Sequence, residues 1–477
     1  VDNCLRAAAE RYYFVQDGAR FAPPPKSKLR IFSTLNYIKH KIANSIDVSK
    51  LSYKDFVSLY DGKRKCRYQT AVDTLVADPL CSKDAYIKAF VKAELISVTS
   101  DHYNPVLRKV VSGKPDPAPR AISPRSPRYN VEVGRFLRPL EHKIYGAIAG
   151  LFGGKTVAKG MNATETAAVL VEMFNEFDDP VAIMLDAHRF DQHVGVDCLK
   201  WEHSVYNEIY NDPNLRRFLK MQLKNRIRFI CRDGMVICVL DGRRMSGDMN
   251  TALGNCLIMC VLIYHYLQTL KIRGRLLNNG DDCTVVMSRK NEEEFVAGVA
   301  AYFLDYGFTM KVEKPVYVLE EIEFCKTQPV WNGTEYVMCR KFPDCVDKDS
   351  ISFLPINNDQ SLNNYYHDLG ACGQALTSGL PVLSKFYAML SRFAGSAKGF
   401  NRDISQRTGM EILSWRMIRR DSPITERARY SFYLAFGITP SEQIDLEHKY
   451  STMQRIPYCS RVVDEFQVVQ PWYLMSK

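Results

Sequence analysis

The chain has 477 residues, 46% hydrophobic and 25% charged, a globular composition long enough to bury a substantial core and unlike a collagenous, wholly disordered or membrane-embedded chain. Its 64 Lys and Arg exceed its 53 Asp and Glu, leaving a net charge of +11, so the average surface favours a polyanionic partner, nucleic acid first. Fourteen cysteines are scattered without a CxxC pair or clustered Cys/His spacing; this indicates neither a zinc ribbon nor a disulfide framework, and suits small core residues in a reducing compartment such as the cytosol.

The chain opens at Val1 without an initiator methionine, and we expect a processed product or an excerpt of a longer protein. No basic-then-apolar leader precedes the first helix-like stretch, 5–14, and the longest apolar run, 256–264, is shorter than a bilayer requires. Pro23, Pro24 and Pro25 then break the chain, because successive prolines cannot continue a helix; the residues before them are expected to form a peripheral arm. Helix-spaced apolar residues over 52–75 carry Lys63, Arg64, Lys65 and Arg67, read as a solvated helix face. From 108 to 138, eight basic and two acidic residues are interleaved with Pro115, Pro117, Pro119, Pro124 and Pro127. Such prolines favour extended backbone, and the stretch reads as a stiff basic finger suited to phosphates or, more plainly, as a basic surface loop.

Residues 181–185 are an apolar run of strand length that ends in Asp186. A second basic run, 216–232, holds seven Lys and Arg and no acid, and with the first it can form opposite walls of one groove. Residues 247–270 read as one proline-free helix with Ser246 as its N-cap. Two strands, 275–277 and 283–287, are joined by the turn-rich Asn278-Asn-Gly-Asp-Asp282, followed by an amphipathic helix over 292–304 and a strand over 308–312. This succession is α+β, with helices on one face of a mainly antiparallel sheet. Beyond about residue 350, stretches such as 381–393, with Pro381 in the first turn, suit a mostly helical terminal lobe.

Asp281 and Asp282 are adjacent carboxylates at a hairpin tip, where like charges repel unless a cation is present, and Gly280 lets the backbone turn and a ligand approach. Alone the triplet also fits a solvated turn. Asp186 ends a buried-looking strand, where a carboxylate is costly unless ligated or hydrogen-bonded. If that strand lies beside the hairpin, the three acids present hard oxygen ligands for Mg²⁺ or Mn²⁺. Asp191 would sit near the same edge, displaced from the ions, and accept a hydrogen bond from a sugar hydroxyl, or cap a helix. Thr251 and Asn255, four apart on one helix face, can face the same ligand.

Taken in order, these residues resemble the motifs of viral RNA-dependent RNA polymerases, closest to those of tombusvirus-like plant viruses. Asp186-Ala-His-Arg-Phe-Asp191 is similar to motif A, Ser246 through Asn255 to motif B, and Asn279-Gly280-Asp281-Asp282 to motif C. Tyr306 through Lys311 is similar to motif D, Phe324-Cys325-Lys326 to the motif E hairpin, and Pro119 through Asn130 to the basic motif F, with Phe90 through Glu94 resembling a fingers segment. The resemblance implies an α+β right hand with an antiparallel palm sheet and a mostly helical thumb. Its implied division is an N-terminal arm (1–50), fingers (51–180, including 108–138), palm (181–204), fingers (205–244), palm (245–340) and thumb (341–477).

It further implies two Mg²⁺ ions, with Mn²⁺ as an alternative, on Asp186, Asp281 and Asp282, and template-directed synthesis of RNA from nucleoside triphosphates with release of pyrophosphate. Asp191 and Asn255, assisted by Ser246 or Thr251, would recognise the ribose. Lys114, Arg120 and Arg128 would hold the triphosphate, and Lys311 would protonate pyrophosphate, with Lys314 as competitor. Arg125, Gly247, Gly280, Cys325 and Lys326 would line the template and primer path. Implied partners are RNA template and product strands, nucleotides, a companion viral replication protein and, indirectly, host membranes in the infected cytoplasm. A reverse transcriptase, a two-metal nuclease and a non-enzymatic RNA-binding protein are the alternatives.

Overall fold

The computed structural model describes residues 1–17, 20–92, 102–104, 109–111, 118–349, 351–352, 356, 358–395, 397, 410–420, 422–455, 462–463 and 466–468. Lys114, Ala93 and Glu94 lie outside them. The chain forms two compact units: residues 1–96, 116–157 and 183–314, and residues 97–115, 158–182 and 315–477.

In chain order, the strands that matter to the site are β1 (Ile87–Val91), β2 (Ala121–Ile122), β3 (Pro180–Ala187), β4 (Lys224–Cys231), β5 (Gly234–Asp241), β6 (Gly274–Asn279), β7 (Asp282–Ser288) and β8 (Met310–Val312). They make two four-stranded sheets, ordered β6-β7-β3-β8 and β2-β1-β4-β5. In the first, β6 and β7 pair antiparallel with Asn279 opposite Asp282, and β8 runs antiparallel to β3 with Lys311 opposite Asp186. The middles of β6 and β7 are buried, and the helices Thr251–Leu270 and Pro127–Phe152 pack on β6. The helix Thr251–Leu270 buries thirteen of its residues and packs against Pro127–Phe152, Val196–Tyr210 and Glu292–Asp305. Its length and hydropathy would also suit a membrane span, but 72% of its apolar window is buried within the fold, as expected of a core helix.

The second sheet is two-faced. Ile87, Ala89, Ile227, Phe229, Val236, Cys238 and Leu240 point inward, where Ala8 and Tyr12 join them in one core cluster. The N-terminal residues are therefore not the peripheral arm expected of them: the helix Asp2–Ala8 and the π-helical turn Ala9–Tyr13 carry apolar side chains that close the inner face. Tyr12 adds a hydroxyl contact of 2.5 Å to Ser123.

Two further expectations change. The basic stretch 108–138 is not extended to its end, since a helix runs over Pro127–Phe152. Pro127 sits at its first position, where a missing N–H costs nothing, Ser126 caps it by accepting the Tyr129 N–H at 3.1 Å, and only Pro139 falls inside. The predicted helix over 52–75 is two, Tyr53–Ser58 and Gly62–Ala77, the first capped by Ser52. Lys63, Arg64, Lys65 and Arg67 lie on the exposed face of the second.

The second unit contains an antiparallel hairpin, β9 (Thr327–Trp331) with β10 (Tyr336–Arg340), against which the helices Ala163–Asn175 and Glu426–Phe436 pack. Helices Asp359–Thr377 and Leu383–Phe393 pack on one another, with Pro440–Thr452 against the latter. The described residues beyond 341 are chiefly helical.

Candidate functional site

The hairpin between β6 and β7 has a loop of two residues, Gly280 and Asp281. Gly280 has φ +82° and Asp281 does not share the positive value, the type II′ pattern that matches the twist of antiparallel strands and calls for glycine first. Asn278, fully buried, clasps the turn: its Nδ2 donates to Gly280 O at 2.7 Å, and its Oδ1 faces the Gly280 N–H at 3.3 Å. Its backbone N–H donates to Thr156 O at 2.8 Å. Asp281 and Asp282 stand exposed beyond this clasp.

Asp186 lies near the C-terminal end of β3, between the buried Leu185 and Ala187. Its side chain is exposed, so the burial penalty expected of it is absent. Beyond β3 the chain turns through Arg189 in the left-handed region, φ +48°, into the short helix Phe190–His193. That turn carries Asp191 to Asn255, whose Nδ2 donates to Asp191 Oδ1 at 2.8 Å. Gly280 lies against the same asparagine, 4.0 Å from its Cβ to the position a Gly280 Cβ would take. Burial pushes the Asp191 carboxyl up to about 6, the Asn255 bond and the Arg244 charge oppose the rise, and the Asp281 carboxylate adds to it. Asp191, Asn255 and the hairpin tip therefore share one end of the sheet, and Asp186 leads into Asp191 on the strand beside β7.

Among the described residues, no three or more His, Cys, Asp or Glu side chains are gathered closely enough to hold an ion as they stand. The donor chemistry does fit a hard divalent cation: exposed carboxylates on neighbouring strands, a neighbouring Cys283 thiol that burial keeps protonated, and mutual repulsion already felt at Asp191.

Beneath Asn255 is a buried network that sequence reading missed. Arg244 and Glu202 form an ion pair with both side chains inaccessible. Arg244 Nε donates to Asn255 Oδ1 at 2.9 Å, and Glu202 Oε1 accepts from Asn250 Nδ2 at 2.7 Å and from the Tyr206 hydroxyl at 2.8 Å. Burial alone would raise the Glu202 carboxyl; the Arg244 guanidinium holds it below its usual range. A side chain at Gly254 would collide with both partners. The available signal was an ionised residue, Glu202, on an otherwise apolar helix face, since a charge so placed requires a partner.

Other predicted residues are placed differently. Ser246 is not a helix cap, because the helix starts at Thr251 after Asn250; its Oγ accepts the Ser123 N–H at 3.0 Å, and it is exposed. The Thr251 hydroxyl is directed at Met245 O and Asp248 O, at 2.8 and 2.9 Å, closing the loop before the helix instead of facing a ligand. Gly247 is needed for packing: a Cβ there would strike the Pro124 backbone. Arg125 does not reach a template, being 2% exposed, ion-paired with Asp248 and bonded to Ala85 O and Asn225 Oδ1, each at 2.7 Å. Arg128 is likewise committed, to Asp84 at 3.0 Å and Asp78 O at 2.6 Å, rather than to a triphosphate. Arg120 is exposed. Lys311 is exposed opposite Asp186 and donates to Glu313 at 2.6 Å, which with the Asp186 charge raises its pKa. In the second unit, Cys325 and Lys326, φ +51° and +60°, form a tight two-residue turn between Phe324 and Thr327.

The family described as viral RNA dependent RNA polymerase matches residues 1–456. The chain is 40% identical to the RNA-directed RNA polymerase of melon necrotic spot virus over 453 residues, 94% of this chain and 56% of that protein. It is 39% identical to that of tobacco necrosis virus (strain A) over 454 residues, 95% of this chain and 61% of the relative. The polymerase of turnip crinkle virus is 38% identical over 463 residues, 95% of this chain and 57% of its own. The chain thus spans between about half and six tenths of the relatives it matches. Motif order and these matches agree: the chain belongs to the family of viral RNA-dependent RNA polymerases.

Proposed function

We propose that the chain is the catalytic part of an RNA-directed RNA polymerase of a positive-strand RNA virus, joining nucleoside triphosphates on an RNA template with release of pyrophosphate. The supporting observation is the sheet end where the Gly280 turn, Asp191 and Asn255 come together, with Asp186 on the adjoining strand. In this reading the β6-β7-β3-β8 sheet is the palm, the β2-β1-β4-β5 sheet belongs to the fingers, and the helices after residue 341 are the thumb.

Asp186, Asp281 and Asp282 would draw together to hold two Mg²⁺ ions. When bound, such ions supply charge stabilisation for the attacking hydroxyl and the departing pyrophosphate. Asp191, held by Asn255, offers its other carboxylate oxygen to a ribose 2′-hydroxyl, which separates ribonucleotides from deoxyribonucleotides. Arg120 contacts the triphosphate, and Lys311, kept protonated by Glu313 and Asp186, gives a proton to the leaving pyrophosphate. Base choice rests on pairing with the template. The setting is the host cytoplasm, in replication complexes with a companion viral protein and host membranes.

Chain supplied with an RNA template, four ribonucleotides and Mg²⁺ should extend RNA, and Asp281→Asn should abolish extension while leaving circular dichroism unchanged. Full activity in that variant would refute the assignment. Shortening of RNA would favour a nuclease, and equal use of deoxyribonucleotides a reverse transcriptase.

A further inference from the structure

The outward face of the β2-β1-β4-β5 sheet is open, while its inner face is packed. A groove of about 590 Å³ opens where β1 begins, lined by Arg67, Lys83, Tyr86, Lys88 and Arg228 together with residues 124–127. Lys88 and Arg228 are opposite one another in the β1–β4 ladder. Arg67, Lys83, Lys88 and Arg228 are exposed, and among the described residues none has a carboxylate partner. The one acid in the lining, Asp84, is occupied by Arg128. Four cations without a neutralising carboxylate thus converge where like charges repel, an arrangement that suits a bound polyanion.

The lining adds more than charge. Tyr86 is fixed beneath Arg226, whose guanidinium stacks over its ring at 5.4 Å and donates to its hydroxyl at 2.8 Å. Across the β4–β5 ladder, Val239 and Ile237 stand opposite Arg226 and Arg228, 49% and 58% exposed. Cations alternating with aromatic and aliphatic surface on an open sheet match single-stranded RNA, which presents phosphates and unstacked base faces together. An acidic peptide would leave the apolar strip uncovered.

The geometry points to a second RNA-binding site on this face, which grips the phosphodiester backbone of a single strand through Lys83, Lys88 and Arg228, apart from the carboxylate end of the other sheet. It rests on the polymerase reading only for the choice of RNA. The groove would hold unpaired RNA without taking part in nucleotide transfer.

The experiment measures binding of a labelled single-stranded RNA oligonucleotide to the full chain by fluorescence anisotropy, without nucleotides, across a salt series. The triple variant Lys83→Ala, Lys88→Ala, Arg228→Ala should bind at least tenfold more weakly, and its slope of log affinity against log salt should shrink by about 2, at ~0.7 for each phosphate no longer neutralised. Tyr86→Leu should weaken binding with the salt slope unchanged. Extension of a short self-primed RNA hairpin at saturating concentration should match wild type in the triple variant. An unaltered slope would overturn the site. Equal loss of hairpin extension would place these residues in the catalytic cleft and overturn it too, as would unchanged RNA binding with lost binding to anionic lipid vesicles. Because binding is read without nucleotides, a chain that binds as predicted but never extends RNA would fail the polymerase reading and leave the groove standing.

Discussion

Replacing Glu202 by Gln tests whether the buried network positions Asn255. The substitution keeps shape and removes one charge from a pair whose side chains are both inaccessible. Arg244 would then be a buried cation beside a neutral amide, a situation that costs about 3–5 kcal/mol. Trp201, buried on the same helix, reports the loss as a lower urea midpoint in fluorescence. Arg244→Met should cost a similar amount, and the double variant should cost clearly less than the two together, because neither charge is then stranded. The sign with pH follows from Glu202's depressed pKa: the pair's stabilisation is present above the ordinary carboxylate range and is lost as pH falls through the lower folded value. With Arg244 gone, Asn255 also loses its Nε donor, so preference for ribonucleotides over deoxyribonucleotides should fall more than total incorporation. A Glu202→Gln penalty under about 1 kcal/mol, or strict additivity in the double variant, would refute the reasoning.

Gly280→Ala meets no neighbour closer than 4.0 Å but must hold φ +82°, so it should fold with a loss of about 1–2 kcal/mol, read by urea titration. Gly247→Ala, which collides with Pro124, should be more damaging in the same titration despite its ordinary φ. Asp191 has a carboxyl raised from 3.8 to about 6, so folding favours its protonated form. Its ionised form weakens the fold above pH 6, and the effect fades below pH 4. Asp191→Asn should therefore add about 2 kcal/mol at pH 7 and nothing near pH 4, taking ~1.4 kcal/mol per pH unit with a discount for partial exposure. The same variant should lose ribose discrimination in competition assays. Arg125→Met should unfold in less urea while its RNA-binding salt slope stays unchanged, because Arg125 meets Asp248 and not phosphate.

What the sequence made legible was local and periodic. The apolar run ending at Asp186, the Gly280 turn and the helix after residue 292 emerged close to their observed bounds, because alternation, glycine and helical spacing act over a few residues. The resemblance assigned Asp191 and Asn255 to one ribose, and in the structure the Asn255 amide donates to the Asp191 carboxylate. What stayed hidden depends on distant partners. The resemblance assigned Arg128 to the triphosphate and Arg125 to the template path, but Asp84 and Asp248, far away in sequence, bind them within the protein. Proline count over 108–138 concealed a helix start, since a proline at the first helical position favours what it would break further in. The Arg244–Glu202 pair had no local mark beyond one acid on an apolar face.

In the proposed polymerase, Asp186 on β3 and the Gly280 turn carry carboxylates to one cation site. Anomalous diffraction from crystals soaked with Mn²⁺ and a non-hydrolysable nucleoside triphosphate tests it most directly. Manganese peaks are expected in contact with both Asp186 and Asp281 or Asp282, and should disappear in Asp186→Asn. Peaks bound elsewhere, or unchanged in that variant, would contradict it.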